Sequence, residues 1–284
     1  MRRTAAEVKR RATVDDAVEI LSSPISGVFG TLSSSSRHFA PHWHDVYGFG
    51  VILDGAQKWR SGRGTVRGYE GDAICTNPGE VHDGEPLGAR SRRWFIVSVD
   101  PTVMRQLAGM AASDVEFRSP VMHDAALVRL FGRLHAQLER LSRAPLDASI
   151  QLAFEEALAS ACTLVAARHA STRVRIHTPP VDMRRVRDRL GDDLRHAPTL
   201  AELAALAGLS RYQTLRRFTR VYGVPPHAWL RNGRVERARR LIEQGMSLSF
   251  AAQTCGFADQ SHMTRCFKRH FGTTPGAWQR AVRR

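Results

Sequence analysis

The sequence has few cysteines, and they lie far apart. The four among its 284 residues are Cys75, Cys162, Cys255 and Cys266, and no pair has the Cys-x-x-Cys spacing. This scatter argues against a disulfide framework or a cysteine zinc site, and it suits a reducing compartment. The sequence also has no apolar run of about 20 residues that would span a membrane, and no signal-peptide core follows its basic start. We therefore expect a cytoplasmic protein with no membrane partner.

Acidic residues are scarce in the last third of the chain. The whole sequence carries a formal net charge of +15 and is 43% hydrophobic, which at this length is enough for two domains with separate cores. Residues 181–284 contain 20 basic and 8 acidic side chains, whereas residues 1–180 contain 22 and 19. Basic charge concentrated in this way is typical of a surface that binds phosphate, and a merely solvated basic surface is the alternative.

The basic part contains one sequence pattern twice. Ten positions of the first copy are Leu200, Ala204, Gly208, Leu209, Arg216, Phe218, Gly223, Pro226, Ala228 and Trp229. They correspond to Leu248, Ala252, Gly256, Phe257, Arg265, Phe267, Gly272, Pro275, Ala277 and Trp278 in the second copy, at an offset of 48 and then 49 residues. Agreement at so many positions of uneven chemistry indicates a duplicated structural unit.

Each copy is predicted to form two short helices around a tight turn. Thr199 and Glu202 have the capping-box spacing of a helix start, Gly208 ends that helix, and Ser210 caps the next one. A helix, a glycine turn and a capped basic helix form the helix-turn-helix pattern. The predicted helices span 182–195, 199–207, 211–222, a long connecting helix from Pro226 to 244, 248–255 and 260–271.

Residues 26–99 show a different pattern, with short apolar runs separated by turn sequences such as Asp54-Gly55 and Asn77-Pro78-Gly79. The runs span 27–32, 47–53, 58–60, 64–66, 73–76 and 94–99. This spacing predicts an antiparallel meander or a small barrel.

Apolar residues recur at helical spacing over 124–142 and again over 147–169. One apolar stripe can cover the barrel while part of the other pairs with a second copy of the chain; the alternative is that both pack on their own domain. A linker is predicted at 171–180, which contains Pro179-Pro180.

Three histidines are expected to converge within the β-rich part. His42 and His44 have the spacing that puts two side chains on one side of a strand, and a turn can bring His82 beside them. Three imidazoles can bind a divalent metal, hydrogen-bond a ligand, or satisfy one another. The predicted pocket residues are His42, His44, Tyr47, Glu80 and His82.

These residues resemble the AraC/XylS family of bacterial transcription regulators. The likeness is strongest over 181–278, where Leu-Ala-x-x-Ala-Gly-Leu-Ser (203–210), Gly-Phe-Ala-Asp-Gln-Ser-His (256–262) and Phe-Lys-x-x-Phe-Gly-x-x-Pro (267–275) are in place. Residues 38–86 resemble the cupin-like effector-binding domain that precedes the DNA-binding half in that family. The resemblance implies a multidomain α+β protein: an N-terminal cupin-like β-barrel flanked by helices, and an all-α C-terminal domain with two helix-turn-helix units joined by a long helix.

The corresponding domain boundaries are an uncertain N-terminal extension (1–22), a cupin-like effector-binding domain (23–170) with a helical dimerisation or coupling segment at about 123–170, a linker (171–180) and the DNA-binding domain (181–284).

The resemblance also implies which side chains contact DNA. The predicted groove-facing residues are Arg211, Tyr212, Leu215 and Arg216 in the first unit and Gln260, Ser261, Thr264 and Arg265 in the second; the predicted phosphate contacts are Arg217, Arg220, Lys268 and Arg269. An arginine suits guanine and a glutamine suits adenine, and each good pair discriminates by about 1–3 kcal/mol. For any single arginine, a plain phosphate contact is the alternative.

The two units depart differently from the family pattern. Thr214 occupies an inner position where the family usually has leucine and the second unit has Met263, and Leu215 occupies a position that is often polar. We therefore expect the two units to recognise DNA differently. The second unit should bind a near-fixed promoter element, and the first should determine more of the sequence preference of this protein.

The histidine motif departs from that of metal-binding cupins, which have a glutamate a few residues after His-x-His. Asp45, Val46, Tyr47 and Gly48 stand there instead. We therefore expect no metal or other cofactor, no enzyme activity, and a small-molecule effector in the pocket. The predicted function is a sequence-specific transcriptional regulator, an activator whose partners are promoter DNA, the effector, RNA polymerase and a second copy of the chain. A metal-dependent cupin enzyme with a DNA-binding appendage is the alternative.

Overall fold

Two antiparallel sheets form the N-terminal half of the protein. The computed structural model describes residues 16–61, 64–88, 91–108, 115–143, 147–171 and 180–282. Its strands are β1 (Ala17–Ser22), β2 (Val28–Ser35), β3 (Phe39–His42), β4 (Tyr47–Asp54), β5 (Ala56–Ser61), β6 (Gly64–Tyr69), β7 (Ala73–Thr76), β8 (His82–Pro86), β9 (Arg92–Val99), β10 (Glu116–Phe117), β11 (Val121–Met122) and β12 (Ala170–Ser171). One sheet has the order β1-β2-β9-β4-β7-β11 and the other β3-β8-β5-β6, while β10 pairs with β12. We call this half the β domain.

The strand order is not that of a meander, which was one of the two predicted arrangements. β9 lies between β2 and β4, so that Phe95 pairs with Leu32 on one side and Val51 on the other. β1 pairs with β2 over its whole length, so part of the segment predicted to be an uncertain extension belongs to the β domain. The predicted linker lies almost entirely outside the described residues, since only Ser171 and Pro180 fall within them.

Helices cover one face of the six-stranded sheet. They are α1 (Pro101–Ala108), α2 (Ala125–Arg143) and α3 (Ala148–His169). Phe131 of α2 and Phe154 of α3 are fully buried in one core with Phe49 of β4 and Phe95 of β9. Both apolar stripes therefore pack on their own domain, although Leu152 of α3 is exposed.

The composition of α3 also bears on the membrane prediction. Within the described residues, α3 is the one helix long and apolar enough to cross a membrane, by length and composition alone. Its apolar face, with Leu158 and Val165 fully buried, packs in the core of the β domain. A core helix passes the same test of length and composition, so this helix is weak evidence for a membrane span.

The C-terminal half is entirely helical where it is described. Its helices are α4 (Val181–Asp192), α5 (Leu200–Ala207), α6 (Arg211–Tyr222), α7 (Pro226–Glu243), α8 (Leu248–Thr254), α9 (Gln260–Phe271) and α10 (Pro275–Val282). The predicted capping box of Thr199 and Glu202 is present, and Ser210 and Asp259 cap α6 and α9. We call α5 with α6 the first unit and α8 with α9 the second unit; α7 joins them as predicted.

The two units have separate cores. The first contains Phe218 of α6 with Met183 of α4 and Leu230 at the start of α7. The second contains Phe267 of α9 and Trp278 of α10, and it extends to Phe29 of β2. The second unit is therefore continuous with the β domain, which matters for the site described below.

Candidate effector cavity and DNA-reading surface

A cavity of about 170 Å³ lies between the two sheets of the β domain. Side chains alternate along a strand, so the face of the six-stranded sheet that does not contact the helices lines this space. Trp94 and Ile96 of β9 and Trp59 of β5 give the cavity a largely apolar wall. His42, His44 and His82 lie at one end.

The same end of the cavity is closed by the C-terminal half. Glu236 and Arg239 of α7, and His270 and Phe271 of α9, are part of the cavity lining. A molecule in this cavity would therefore contact both halves of the protein.

Glu236 is the centre of the polar contact between the halves. Its Oε1 accepts hydrogen bonds from Nδ1 of His44 at 2.8 Å and from Nε2 of His270 at 3.0 Å. Its Oε2 accepts from Nε of Arg239 at 3.1 Å. Burial alone would raise the pKa of Glu236, but the hydrogen bonds from His270 and His44 and the charge of Arg239 hold it well below its usual value. Glu236 is therefore a buried carboxylate shared between a β-domain histidine and a histidine of the second unit.

A second polar contact lies beside the first. Asp45 accepts a hydrogen bond from Nη2 of Arg239 at 2.8 Å and forms an ion pair with Nε of Arg240 at 2.7 Å. Arg239 is buried and also pairs with Glu243 at 2.8 Å. Burial and the neighbouring charge of Glu236 raise the pKa of Asp45 to about 6, even though the two arginines lower it. The contact thus depends on charges that water does not screen well.

Aromatic rings complete the interface. Phe29 of β2 meets Trp278 edge-on with ring centres 5.0 Å apart. Trp43 lies against Trp229 at 4.9 Å, and His44 stacks on Phe271 at 5.5 Å. These contacts bury apolar surface from both halves, so the interface combines hydrophobic packing with the buried ion pairs.

Four imidazoles meet at the closed end of the cavity; we call His42, His44, His82 and His270 the histidine cluster. The ring centre of His42 lies 4.5 Å from that of His82, 5.0 Å from that of His44 and 5.1 Å from that of His270. Burial, followed by the neighbouring histidine charges, lowers the pKa of His42 well below its usual value, and burial is also the main cause that lowers the pKa of His82 to about 3. Burial likewise lowers the pKa of His270. These three rings are therefore uncharged at neutral pH.

Two of the five predicted pocket residues do not line the cavity. Tyr47 is buried on the opposite face of β4, where its hydroxyl donates to the carbonyl of Val115 at 2.6 Å. Val46 and Gly48, its chain neighbours, line the cavity instead, because successive side chains point to opposite faces. Glu80 accepts from Nδ2 of Asn77 at 2.7 Å and stabilises the turn before β8. His42, His44 and His82 line the cavity, as predicted, but β3 ends at His42, so His44 follows the strand and does not lie on it.

The predicted DNA-reading residues lie on the exposed faces of α6 and α9. Among them, Tyr212 is 65% exposed, and most of the others are also exposed: Arg211, Arg216, Arg220, Gln260, Ser261, Arg265, Lys268 and Arg269. Leu215 and Thr264 are half-buried. The β domain does not cover these faces, so both helices present basic surface to solvent.

Internal contacts modify some of these roles. Arg217, predicted to contact phosphate, pairs with Asp182 of α4 at 2.9 Å. Arg216 lies over the ring of Tyr212, and Gln260 accepts a hydrogen bond from Ser249 at 2.9 Å. Thr214 is fully buried, as predicted, and its hydroxyl donates to the carbonyl of Ser210 at 3.0 Å.

Comparison with known proteins decides the family. A family model described as an AraC-like ligand binding domain matches residues 28–158, and one described as a helix-turn-helix domain matches residues 203–281. The chain belongs to the AraC family of transcriptional regulators. It therefore joins a ligand-binding domain to a DNA-binding domain, and the two correspond to the β domain and the helical C-terminal half.

Two relatives of this AraC-family regulator match most of its length. The HTH-type transcriptional regulator YbfI of Bacillus subtilis is 27% identical over 234 residues, which cover 80% of this chain and 82% of that protein. The transcriptional activator NphR of a Rhodococcus species is 28% identical over 237 residues, covering 81% and 68%.

Solved structures of ToxT from Vibrio cholerae have the same fold. The apo form of a ToxT variant superposes with a TM-score of 0.56 at 11% identity, covering 92% of this chain and 99% of that one. The wild-type form bound to an unsaturated fatty acid gives 0.54 at 11% identity, covering 90% and 95%.

The residues of this AraC-family regulator that close the cavity were not predicted from the sequence. Glu236, Arg239 and His270 are far along the chain from the histidines they approach, and no local pattern links the two segments. One signal was present: Glu236 and Arg239 lie at positions that the helical period of α7 turns inward, and an unpaired charge is rarely buried.

Arg92 of β9 is a further missed residue. It is only 1% exposed, and it lines the cavity. Its Nε donates to Gln57 at 2.9 Å, and its Nη1 donates to the carbonyls of Ser35 and Arg37. In the described ranges no carboxylate forms an ion pair with it. Burial lowers its pKa to about 10, which leaves it charged at neutral pH.

Proposed function

We propose that this AraC-family regulator is an activator whose affinity for promoter DNA is controlled by a small molecule in the cavity of the β domain. The observation that carries the proposal is the closure of that cavity by α7 and α9. Since α9 is the recognition helix of the second unit, a ligand that changes the closure would change the position of a DNA-reading element. The name of the relative NphR supports the activator role.

The effector that suits the cavity is a mostly apolar molecule with one acidic group. Trp59, Trp94 and Ile96 offer apolar and aromatic surface. Arg92 contributes a buried positive charge whose hydrogen-bond partners, among the described residues, are neutral oxygens. The charges of Asp16 and Glu85 act on it without an ion pair. A carboxylate at its guanidinium would supply a directly bonded opposite charge, and charge-assisted bonds of this kind are the strong ones.

The mechanism we propose is a shift between arrangements of the two halves. The contacts of Glu236 and Asp45 stabilise the arrangement described above, and the effector binds it and the DNA-competent arrangement with different affinities. The predicted base and phosphate contacts on α6 and α9 would then read two successive major grooves on one face of the duplex. RNA polymerase is the protein partner that an activator requires; cytoplasmic location, absence of enzyme activity and homodimer formation are parts of the same proposal.

Selection of DNA from a random duplex pool tests this function. The full chain is offered the pool at about 150 mM salt, with and without the small-molecule fraction of a cell extract. We expect a preferred sequence with two half-sites about one helical turn apart, and an affinity that changes with the extract. The active component should bind to an anion exchanger at neutral pH. A chain that prefers no sequence over random duplex would disprove the function.

A pair of matched variants tests the control mechanism. Asp45→Asn removes one charge from the contact between the halves, whereas Asp72→Asn removes the charge of a similarly enclosed aspartate that accepts a hydrogen bond from His123 inside the β domain and does not line the cavity. We expect Asp45→Asn to reduce the effect of the extract on DNA affinity and Asp72→Asn to leave it unchanged. Equal behaviour of the two variants would show that the contact between the halves does not carry the signal.

A further inference from the structure

Three rings of the histidine cluster, those of His42, His44 and His82, have the geometry of a metal site, and His270 from the other half lies beside two of them. In a tetrahedral zinc site with Zn–N distances of about 2.0–2.1 Å, the ring centres of neighbouring imidazoles lie about 5 Å apart. The described separations are 4.5 Å between His42 and His82, 5.5 Å between His44 and His82, and 4.9 Å between His44 and His270. One ring nitrogen from each of His42, His44 and His82 lies within 4.8 Å of the others.

The outward nitrogens of these rings are held by oxygen acceptors. Nδ1 of His42 donates to the carbonyl of Ala40 at 2.7 Å, and Nδ1 of His82 donates to the carbonyl of Glu80 at 3.0 Å. Nδ1 of His44 and Nε2 of His270 both donate to Glu236. Histidines that bind metals almost always donate their other N–H to a carbonyl or a carboxylate in this way, which fixes the ring orientation.

The remaining nitrogen of each ring carries a free lone pair. These are Nε2 of His42, His44 and His82 and Nδ1 of His270, and in the part of the chain that the structure describes no donor is bonded to them. A cluster of imidazoles that merely packed together would leave these acceptors facing one another, which has no energetic advantage. A single divalent cation would accept all of these lone pairs together.

We propose that the histidine cluster binds a divalent transition-metal ion that joins the β domain to the second unit. Nitrogen ligands favour Zn²⁺ and its neighbours over Mg²⁺ or Ca²⁺, which prefer oxygen. Sequence analysis led us to expect no metal because the glutamate of metal-binding cupins is missing. His270 supplies a fourth ligand from α9 instead, 188 residues beyond His82.

The position of His270 gives the ion a regulatory consequence. Three ligands belong to the β domain and one to the recognition helix α9, so the ion stabilises the arrangement in which the two halves touch. By reciprocity, any ligand or DNA sequence that draws α9 away from the β domain weakens metal binding to the same extent. Neither the proposed effector nor DNA binding is needed to infer this metal site.

Direct metal titration of the full chain tests the site. Chelator-treated protein is titrated with Zn²⁺ by calorimetry, and with Co²⁺ to record the visible absorption that identifies tetrahedral coordination. We expect one ion per chain in both cases. Failure of the full chain to bind either ion would overturn the proposal, and if DNA selection by the same metal-free protein is intact, the proposed function still stands.

Conservative variants test which residues are ligands. His42→Asn retains a donor for the Ala40 carbonyl, and His270→Gln retains a donor for Glu236, but each removes the inward nitrogen. We expect each variant to weaken Zn²⁺ binding by more than about 10-fold while its circular dichroism stays unchanged. His196→Ala, at an exposed histidine paired with Asp193, is the control and should bind like the parent chain.

The result for His270→Gln decides whether the ion links the two halves or is held by the β domain alone. If His42→Asn weakens binding and His270→Gln does not, the ion is held by the β domain alone and the proposed bridge is wrong. If His196→Ala weakens binding as much as the other two, the titration reports general surface histidines and the site is wrong as well.

Discussion

The two helix-turn-helix units share a sequence pattern but differ in what lies at the end of the recognition helix. In α6 the last two residues are Val221 and Tyr222, and the Tyr222 hydroxyl donates to the carbonyl of Met183 within the DNA-binding half. The equivalent residues of α9 are His270 and Phe271, which line the cavity of the β domain. Of these equivalent pairs, the one in the second unit thus reaches the cavity of the ligand-binding domain, through two side chains.

A glycine follows each of these two helices. Gly223 and Gly272 both adopt positive φ, near 75°, and both approach the β domain. A side chain at Gly223 would lie 3.2 Å from a methyl group of Val81, whereas one at Gly272 would lie 2.7 Å from a methyl group of Val18. At this glycine the second unit lies closer to the β domain than the first unit does, and its core extends to Phe29. We therefore expect a signal from the cavity to reach α9 before α6.

The largest predicted effects come from the buried phenylalanines at equivalent positions. Phe218→Ala and Phe267→Ala each remove a fully buried ring, so each should destabilise the protein by about 3–5 kcal/mol in urea unfolding. Only the core of Phe267 extends to Phe29 of β2. Phe267→Ala should therefore also increase hydrogen exchange in β1 and β2, while Phe218→Ala should not. Equal exchange in both variants would contradict the unequal coupling of the two units.

Intermediate effects are expected at the equivalent arginines of the two reading faces. Arg216→Ala and Arg265→Ala should each relax the preference at one base pair, by about 1–3 kcal/mol, at positions about one helical turn apart. Lys268→Ala should instead weaken all sequences alike and lower the slope of log affinity against log salt by about one. Binding of the selected DNA and its single-base variants at several salt concentrations measures both. If Arg265→Ala behaves like Lys268→Ala, the assignment of base and phosphate contacts is wrong.

The helices of the DNA-binding half could be predicted closely because their signals are local. The predicted bounds of α6 and α9 agree with the structure, since Ser210 and Asp259 cap their starts and Gly223 and Gly272 end them. The strand order could not be predicted, because β9 pairs with strands far away in the sequence and nothing in its own residues specifies them. The short polar strands β3 and β8 were missed since they lack apolar alternation.

Only the part of the candidate site that is formed by local sequence signals could be predicted. His42 and His44 are close in sequence, and the turn before His82 made its approach to them a geometric expectation, which agrees with the ring separations. Glu236 and His270 reach the cavity only because the two halves dock, and docking depends on surfaces rather than on local spacing. Tyr47 was assigned to the wrong face, although strand alternation alone would have separated it from the pocket.

The smallest predicted effect concerns the inner position where the units differ most in chemistry, Thr214 in α6 and Met263 in α9. Thr214→Val keeps the shape and removes the hydroxyl that donates to Ser210. The Ser210 carbonyl keeps the backbone N–H of residue 214 as a donor at 2.9 Å, so no buried acceptor is left unpaired. Removing a buried hydroxyl without orphaning its partner is nearly neutral or slightly stabilising, so the free energy of unfolding should change by less than about 1 kcal/mol.

DNA preference at the first half-site should also stay the same, because Thr214 is fully buried beneath the reading face. Urea unfolding and binding of the selected DNA measure the two properties of Thr214→Val. A loss of stability above about 2 kcal/mol, which is the size of a buried unsatisfied group, would show that the hydroxyl is a structural requirement of the first unit. In that case the threonine would be part of what makes the first unit distinct, and the difference between the units would begin in their cores as well as at the cavity.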